Sequence, residues 1–356
     1  MENVFNAILV VWDFFAKNIL TQPAYFIGVI VLVGYLLLKK PWYECLAGFL
    51  KATVGYFILS VGSGGLVNNF RPILAGLKDR FNLDATVIDP YFGQNAIDTG
   101  IMATFGRTFG DVMVLLLIAF IANIALVRFQ KYTKMRAVFT TGNVQVQQAA
   151  TAFWLILFCF PSLGRIQIGV RTFVSELTES FTGISNTLLP GAVPGIDVAA
   201  TFAFGSPNAV TLGFLFGALG QFLMIGLLIL VKSPVVIIAG FIPLFFDNAA
   251  FAVYANNRGG IKAACILPFL SGIIQVGGSA LIASWVGLSK FGGYIGMFDW
   301  ATIWPGFTIV MKLLGYVGIA VVVLILVVIP QLQYRRDPEG YFLVVEDYDA
   351  YAERKA

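Results

Sequence analysis

The chain has 356 residues, of which 58% are hydrophobic, 15% aromatic and 12% charged, with a mean hydropathy of +0.85. A water-soluble domain carries about 25% charged residues, and a chain at half that level would expose aggregating apolar patches, so its solvent is lipid. Lys and Arg exceed Asp and Glu by 23 to 19, a net of +4 too small and dispersed for nucleic acid, and the lack of any histidine argues against zinc sites, haem ligation and Ser-His-Asp chemistry.

In chain order, Met1 to Leu20 carries Glu2 and Asp13 and lacks a basic leader and a small-residue cleavage site. It is expected to form a first helix at the interface rather than a cleaved signal. Crossing the bilayer takes about 20 mainly apolar residues, so the gaps between charges locate the spans. Uncharged runs of 21 residues separate Lys17 from Lys39, 19 separate Lys51 from Arg71, and 28 separate Arg136 from Arg165. Further on, 34 separate Asp197 from Lys232, 27 separate Lys262 from Lys290, and 22 separate Lys312 from Arg335. Shorter runs at 112–127 and 233–246 complete crossings if Asp111 and Asp247 face protein. The expected fold is an all-α membrane protein of about eight to ten transmembrane or re-entrant helices.

Lys39-Lys40, the loop with Arg128, Lys131, Lys134 and Arg136, and Arg335-Arg336 mark cytoplasmic ends. The N-terminus is then expected outside and the C-terminus inside a bacterial inner membrane. Residues 331–356 hold ten of the 42 charges and read as a solvated cytoplasmic tail.

Four apolar stretches are broken by polar residues: Asp89-Pro90-Tyr91, Thr140-Thr141-Gly142-Asn143, Gly205-Ser206-Pro207-Asn208, and Pro243 followed by Asp247-Asn248. Proline removes a backbone donor and disfavours helix before it, and such backbone survives at membrane depth only where buried or facing a wet cavity. The two halves echo each other. Asn82 to Phe92 parallels Gly195 to Gly205, Phe70 to Gly76 parallels Leu188 to Ala192, Phe109-Gly110-Asp111 matches Leu219-Gly220-Gln221, and Val138 to Asn143 sits where Ile242 to Asn248 comes later. Paired broken helices point to a transporter-like site near the midplane between inverted repeats. The repeats are placed at about 22–150 and 165–290, with a final span at 308–330 closing a membrane domain over 1–330.

Asp197, beside Pro194-Gly195, is an intramembrane carboxylate and a candidate site residue. Asn143 and Gln147 share a helical face at i and i+4, Gln148 adds an amide, and Asp247 with Asn248 could supply the opposite wall. Carboxylates, amides and hydroxyls suit a polyhydroxylated ligand, since each hydroxyl both donates and accepts. Asp98 and Asp111 read as weaker candidates. Glu176 and Glu179 share a face and read as structural ion-pair partners, and Gly62-Ser63-Gly64-Gly65 lacks the Lys-Ser/Thr of a phosphate loop. The basic loop at 128–136 reads as a topology determinant ahead of a docking site for an acidic partner.

The stretch Phe173 to Ser185, then Leu189-Pro-Gly-Ala-Val, Ile196-Asp-Val-Ala-Ala, Ser206-Pro-Asn-Ala-Val and Gly240-Phe-Ile-Pro-Leu-Phe-Phe-Asp-Asn-Ala, resembles the ascorbate-specific membrane component (EIIC) of the bacterial phosphotransferase system. Gly62-Ser-Gly, Arg71-Pro, Thr141-Gly-Asn and Gln147-Gln-Ala resemble the family's N-terminal half, so the likeness covers most of 20–330. The resemblance implies inverted repeats, a mobile core moving against a dimerising scaffold, and uptake of a sugar acid as a homodimer. It also implies phosphorylation by a separate cytoplasmic EIIB, with no independent catalytic site and no cofactor in this chain. By the same resemblance Tyr91, Asn143, Gln147, Asp197 and Asn248 contact the substrate. The chain departs from the family in carrying Asn143 where a histidine is usual, and in joining segments at 149–169 that a longer central region, with a His-Gln-Gln stretch, usually separates. A compact homologue with another substrate, a galactitol-type EIIC, a part of a split transporter, an ion-coupled secondary transporter using Asp197 or Asp247, and a non-transporting truncated homologue therefore stay open.

Overall fold

The computed structural model describes residues 39–55, 85–139, 143–162, 193–195 and 205–355, with isolated positions in 25–36, 57–72 and at 202. Asp197, Glu176, Glu179 and the glycine cluster at 62–65 lie outside the described residues. Helices dominate. In chain order they are α1 (42–55), α2 (Pro90–Phe105), α3 (Phe109–Arg128), α4 (Asn143–Cys159), α5 (Pro207–Leu230), α6 (Asn248–Trp285), α7 (Phe298–Leu314), α8 (Tyr316–Arg336), α9 (Pro338–Glu346) and α10 (Tyr348–Lys355). By length and composition α3, α5, α6 with the turn before it, and α8 are able to cross a membrane. This is an all-α, multi-pass membrane protein.

Each break in the apolar pattern becomes a helix start. Asp89 caps α2, whose first residue is Pro90, and Ser206 precedes Pro207 at the start of α5. Proline suits a first helical position because its missing N–H would be unpaired there anyway. A π-helical turn, Ile242–Asp247, introduces α6. Asp111 accepts the Thr108 backbone N–H at 3.2 Å and lies 3.7 Å from Arg107, so it serves the start of α3, while Asp98 is exposed.

The short strands in front of these helices have no counterpart in the sequence reading. β1 (Ala85–Ile88), β4 (Val236–Ala239) and β5 (Gly293–Tyr294) form a parallel sheet in the order β4-β1-β5, with Ala85 opposite Val236 and Val87 opposite Gly293. β2 (Ala137–Phe139) pairs in parallel with β3 (Val193–Gly195). Parallel strands all point their C-terminal ends the same way. The starts of α2, of the π turn and of α7 therefore leave the first sheet on one side.

α6 is not one rod. Its backbone departs from helix at Gly260 (φ 63°, ψ −163°), and the amide of Asn248 lies 3.5 Å from that of Gln275. Twenty-seven residues of straight helix would hold those two about 40 Å apart, so the chain reverses around Gly260. The first limb, 248–259, is too short to cross and is re-entrant; the second, 261–285, is long enough. The tip, from Asn257 to Lys262, is exposed. α5 packs against both limbs through small residues: a Cβ on Gly213 or Gly217 would meet Asn248 and Ala249, and one on Gly220 would meet the Phe269 backbone.

The core gathers residues of α2, α4, α6, β5 and α7 around Trp154. The indole of Trp154 donates to the Val286 carbonyl at 3.0 Å and meets Phe105 and Phe291 edge-on, with ring centroids at 5.0 and 5.7 Å. Two expectations about the C-terminal end differ from the structure. The last long helix runs from Tyr316 to Arg336, set apart from α7 by Gly315 at φ 57°. The segment expected to be a solvated extension folds into α9 and α10 and rests on the basic loop. There Tyr341 is buried, its hydroxyl donates to the Lys134 carbonyl at 2.7 Å, and Arg136 both donates to the Tyr341 carbonyl and lies 4.1 Å over the Tyr341 ring. The Gln331 side chain donates to the Tyr132 carbonyl at 2.6 Å. The basic loop and the end of α8 therefore lie on one side of the molecule.

Candidate functional site

Two of the helix breaks are tied together by one buried carboxylate. Asp89 Oδ1 accepts from the Tyr91 backbone N–H at 3.0 Å, and its Oδ2 accepts from the Ile242 backbone N–H at 3.2 Å, 153 residues away. Gly240 makes room for this: its N–H donates to the Ile88 carbonyl at 2.9 Å, and a Cβ there would collide with the Asp89 side chain. A third helix start reaches the next carboxylate. The Phe298 backbone N–H, at the beginning of α7, donates to Asp247 Oδ2 at 2.9 Å. Helix N-termini present unpaired amides and a partial positive charge. They hold Asp89 and Asp247, neither of which has a Lys or Arg partner among the described ion pairs.

Beside this knot lies a cavity of about 300 Å³, lined by Asp247, Ala250, Phe251, Tyr254, Phe298 and Asp299. Ala250, Phe251 and Tyr254 come from the re-entrant limb of α6, where i and i+4 share a face, and Phe298 and Asp299 from the start of α7. Phe251 and Phe298 meet edge-on with centroids 4.8 Å apart. Asp299 Oδ2 accepts from the Trp304 indole at 3.2 Å, and Trp304 stacks on Trp300 at 4.8 Å. Two carboxylates set among aromatic faces can accept hydrogen bonds from ligand hydroxyls while the rings cover its C–H faces.

Behind the cavity runs a buried polar seam. Gln275 donates from Nε2 to Asp247 Oδ2 at 2.9 Å, while its Oε1 accepts from Gln221 Nε2 at 2.8 Å and from Asn248 Nδ2 at 3.5 Å. Asn248 Nδ2 also donates to the Pro243 and Leu244 carbonyls, at 3.0 and 3.2 Å.

Among the five residues singled out by resemblance, Tyr91 opens α2 directly after the Asp89 knot and is half-buried. Asn143 opens α4, its side chain lying outside what is described, as does Asp197 altogether. Gln147 is fully buried on α4, and neither polar atom of its amide has a partner among the described residues. Asn248 is buried against Gly217 of α5, with Asp247 beside it lining the cavity. The structure thus brings Tyr91 and Asn248 onto segments that start from one knot, and shows no contact between Gln147 and the described cavity wall. Asp299, Gln221 and Gln275 were not among the sequence candidates as site residues. The signal for them is a lone polar side chain inside an apolar run.

Comparison with known proteins agrees with this architecture. A family model described as the phosphotransferase-system sugar-specific permease component, EIIC-GAT, matches residues 18–168 and 162–304. A curated relative, the ascorbate-specific EIIC component of the phosphotransferase system of Mycoplasma pneumoniae, is 25% identical over 436 aligned positions, covering 76% of this chain and 66% of the relative. The chain thus spans just under two thirds of that relative's length. The alignment is longer than the chain itself, so the relative carries residues opposite gaps here, and the two family matches meet at 162–168, within the shortened join. This chain belongs to the family of sugar-specific permease components of the phosphotransferase system.

Proposed function

We propose that the chain is the EIIC permease of a phosphotransferase system, binding ascorbate or a related sugar acid or polyol and translocating it while a separate EIIB-like protein supplies the phosphoryl group. The observation that carries this reading is the cavity at the re-entrant limb of α6, where three helix starts converge on Asp89 and Asp247 and the carboxylates of Asp247 and Asp299 lie among aromatic walls. A discontinuous helix beside such a cavity is the substrate-site geometry of secondary transporters. Asp247 and Asp299 are the proposed direct contacts, with Tyr91, Asn143, Gln147, Asp197 and Asn248 carried over from the family resemblance.

Two inverted repeats are part of this reading, carried by the sequence echo between the halves. We further propose a homodimer, with the basic loop and the C-terminal helices in the cytoplasm and the N-terminus outside.

A second reading concerns the ligand. Two carboxylates with no Lys or Arg beside them among the described residues disfavour an anion and favour a neutral polyol. Uptake of radiolabelled ascorbate and of radiolabelled galactitol into proteoliposomes separates these. Uptake that needs EIIB and phosphoenolpyruvate supports the permease, whereas uptake driven by an ion gradient without them replaces it with an ion-coupled transporter. Uptake of radiolabelled galactitol with none of ascorbate selects the polyol.

A further inference from the structure

The hydrogen-bond directions in the buried seam are fixed. The Phe298 backbone N–H can only donate, so Asp247 Oδ2 is an acceptor there. The same oxygen therefore also accepts from Gln275, so Gln275 must turn its NH₂ to Asp247 and its carbonyl oxygen away, and that oxygen must meet donors. It does: Gln221 and Asn248 both present NH₂ groups to it. Asn248 cannot turn over, because its NH₂ is also held by the Pro243 and Leu244 carbonyls. The cost appears at the far ends, where Gln221 Oε1 and Asn248 Oδ1 are buried without partners among the described residues. Two orphaned acceptors inside a membrane protein are expensive, and the arrangement that leaves them there saturates one oxygen of Asp247 with two donors. The other oxygen, Oδ1, is left for whatever enters the cavity that Asp247 lines.

We infer that Gln275, held in turn by Gln221, is a positioning residue that locks the Asp247 carboxylate with Oδ1 presented to the cavity, so that helix packing between α5 and α6 sets the ligand affinity. Gln275 and Gln221 touch no ligand and act through Asp247. This rests on the reading of the cavity as the substrate site. It also goes beyond that reading, because it makes an α5 residue with no access to the cavity a determinant of binding.

The test uses the full chain in nanodiscs with two readouts. The first is binding of L-ascorbate and of galactitol; the second is labelling of Asp247 by dicyclohexylcarbodiimide, located by peptide mass spectrometry, which needs no ligand. Gln275→Leu is expected to weaken binding of the probe that the wild type takes by about tenfold, the worth of a lost hydrogen bond to a charged group. It is also expected to speed labelling of Asp247 several-fold. In combination with Asp247→Asn it should add no further loss. Gln221→Leu, which removes an orphaned acceptor and so keeps the fold, should raise labelling as well. Losses that multiply in the double variant, or labelling of Asp247 at the wild-type rate in both single variants, overturn the inference. Asp247→Asn with wild-type affinity would instead remove the cavity from the substrate path, and labelling alone would then decide whether Gln275 orients Asp247.

Discussion

Asp89 is the smallest change with the largest expected structural effect, because one side chain closes two helix starts 153 residues apart. In Asp89→Ala the Tyr91 N–H loses its cap, worth about 1 kcal/mol. The Ile242 N–H, buried at a break in the membrane domain, loses its partner at about 1–3 kcal/mol. Water cannot replace either acceptor where Asp89 is 1% exposed, so the two add to about 2–4 kcal/mol. For a chain of this size that corresponds to a fall in unfolding temperature of about 3–5 °C. Asp89→Asn keeps the shape and one acceptor oxygen but turns an NH₂ toward a backbone N–H, and about half the loss is expected. Intrinsic tryptophan fluorescence during heating of the purified protein in detergent measures both. Asp89→Ala melting within about 1 °C of wild type would refute the claim that this carboxylate fastens β1 and the π turn together.

Three further outcomes follow from the packing. Gln147→Leu removes a buried amide that has no partner among the described residues, so thermal stability is expected to hold or rise. If Gln147 serves the substrate, ascorbate affinity should fall about tenfold, as isothermal titration would show. Trp154→Phe deletes the 3.0 Å bond to the Val286 carbonyl and part of the volume between Phe105 and Phe291, a loss of about 2–3 kcal/mol readable by thermal melting. Tyr341→Ala breaks the contact of α9 with the basic loop, so trypsin should cut after Arg335 or Arg336 faster, with the melting temperature of the membrane core unchanged.

The helix breaks were legible in the sequence because capping is local: an Asp, Ser or Asn before proline states a helix start within four residues. The strands were not, since each is two to four residues long and exists through pairing with a segment 56 to 206 residues away, leaving no periodicity to read. The reversal at Gly260 was legible in principle. Asn256-Asn257-Arg258-Gly259-Gly260 interrupts an apolar run with residues that cannot face lipid, and neither its charge nor its glycines entered the reading. Asp247 was placed among the wall residues from its neighbour Asn248, but that Asp247 faces the cavity while Asn248 faces α5 depends on the π turn, which shifts the helical phase by one residue. The docking of α9 on the basic loop depends on Tyr341 meeting Lys134 and Arg136, two sites about 200 residues apart, and charge density alone suggested solvation.

The shortened join at 149–169 bears differently on the chain once the knot is located. Every group that builds the knot and the described cavity wall comes from 85–91, 221, 236–254, 275 or 293–299, all inside the stretches matched by the family model and none inside the join. The helix amides that hold Asp89 and Asp247 are delivered by β1, β4 and β5, whose pairing spans the join without using it. Removing residues there shortens the connection between the halves, at a small change in closure entropy, and leaves this frame intact. What the join lacks is the His-Gln-Gln stretch that the resemblance implies for the longer central region. Under the proposed function, the consequence should therefore appear in which hydroxylated ligand is held, and less in whether the frame that holds it forms.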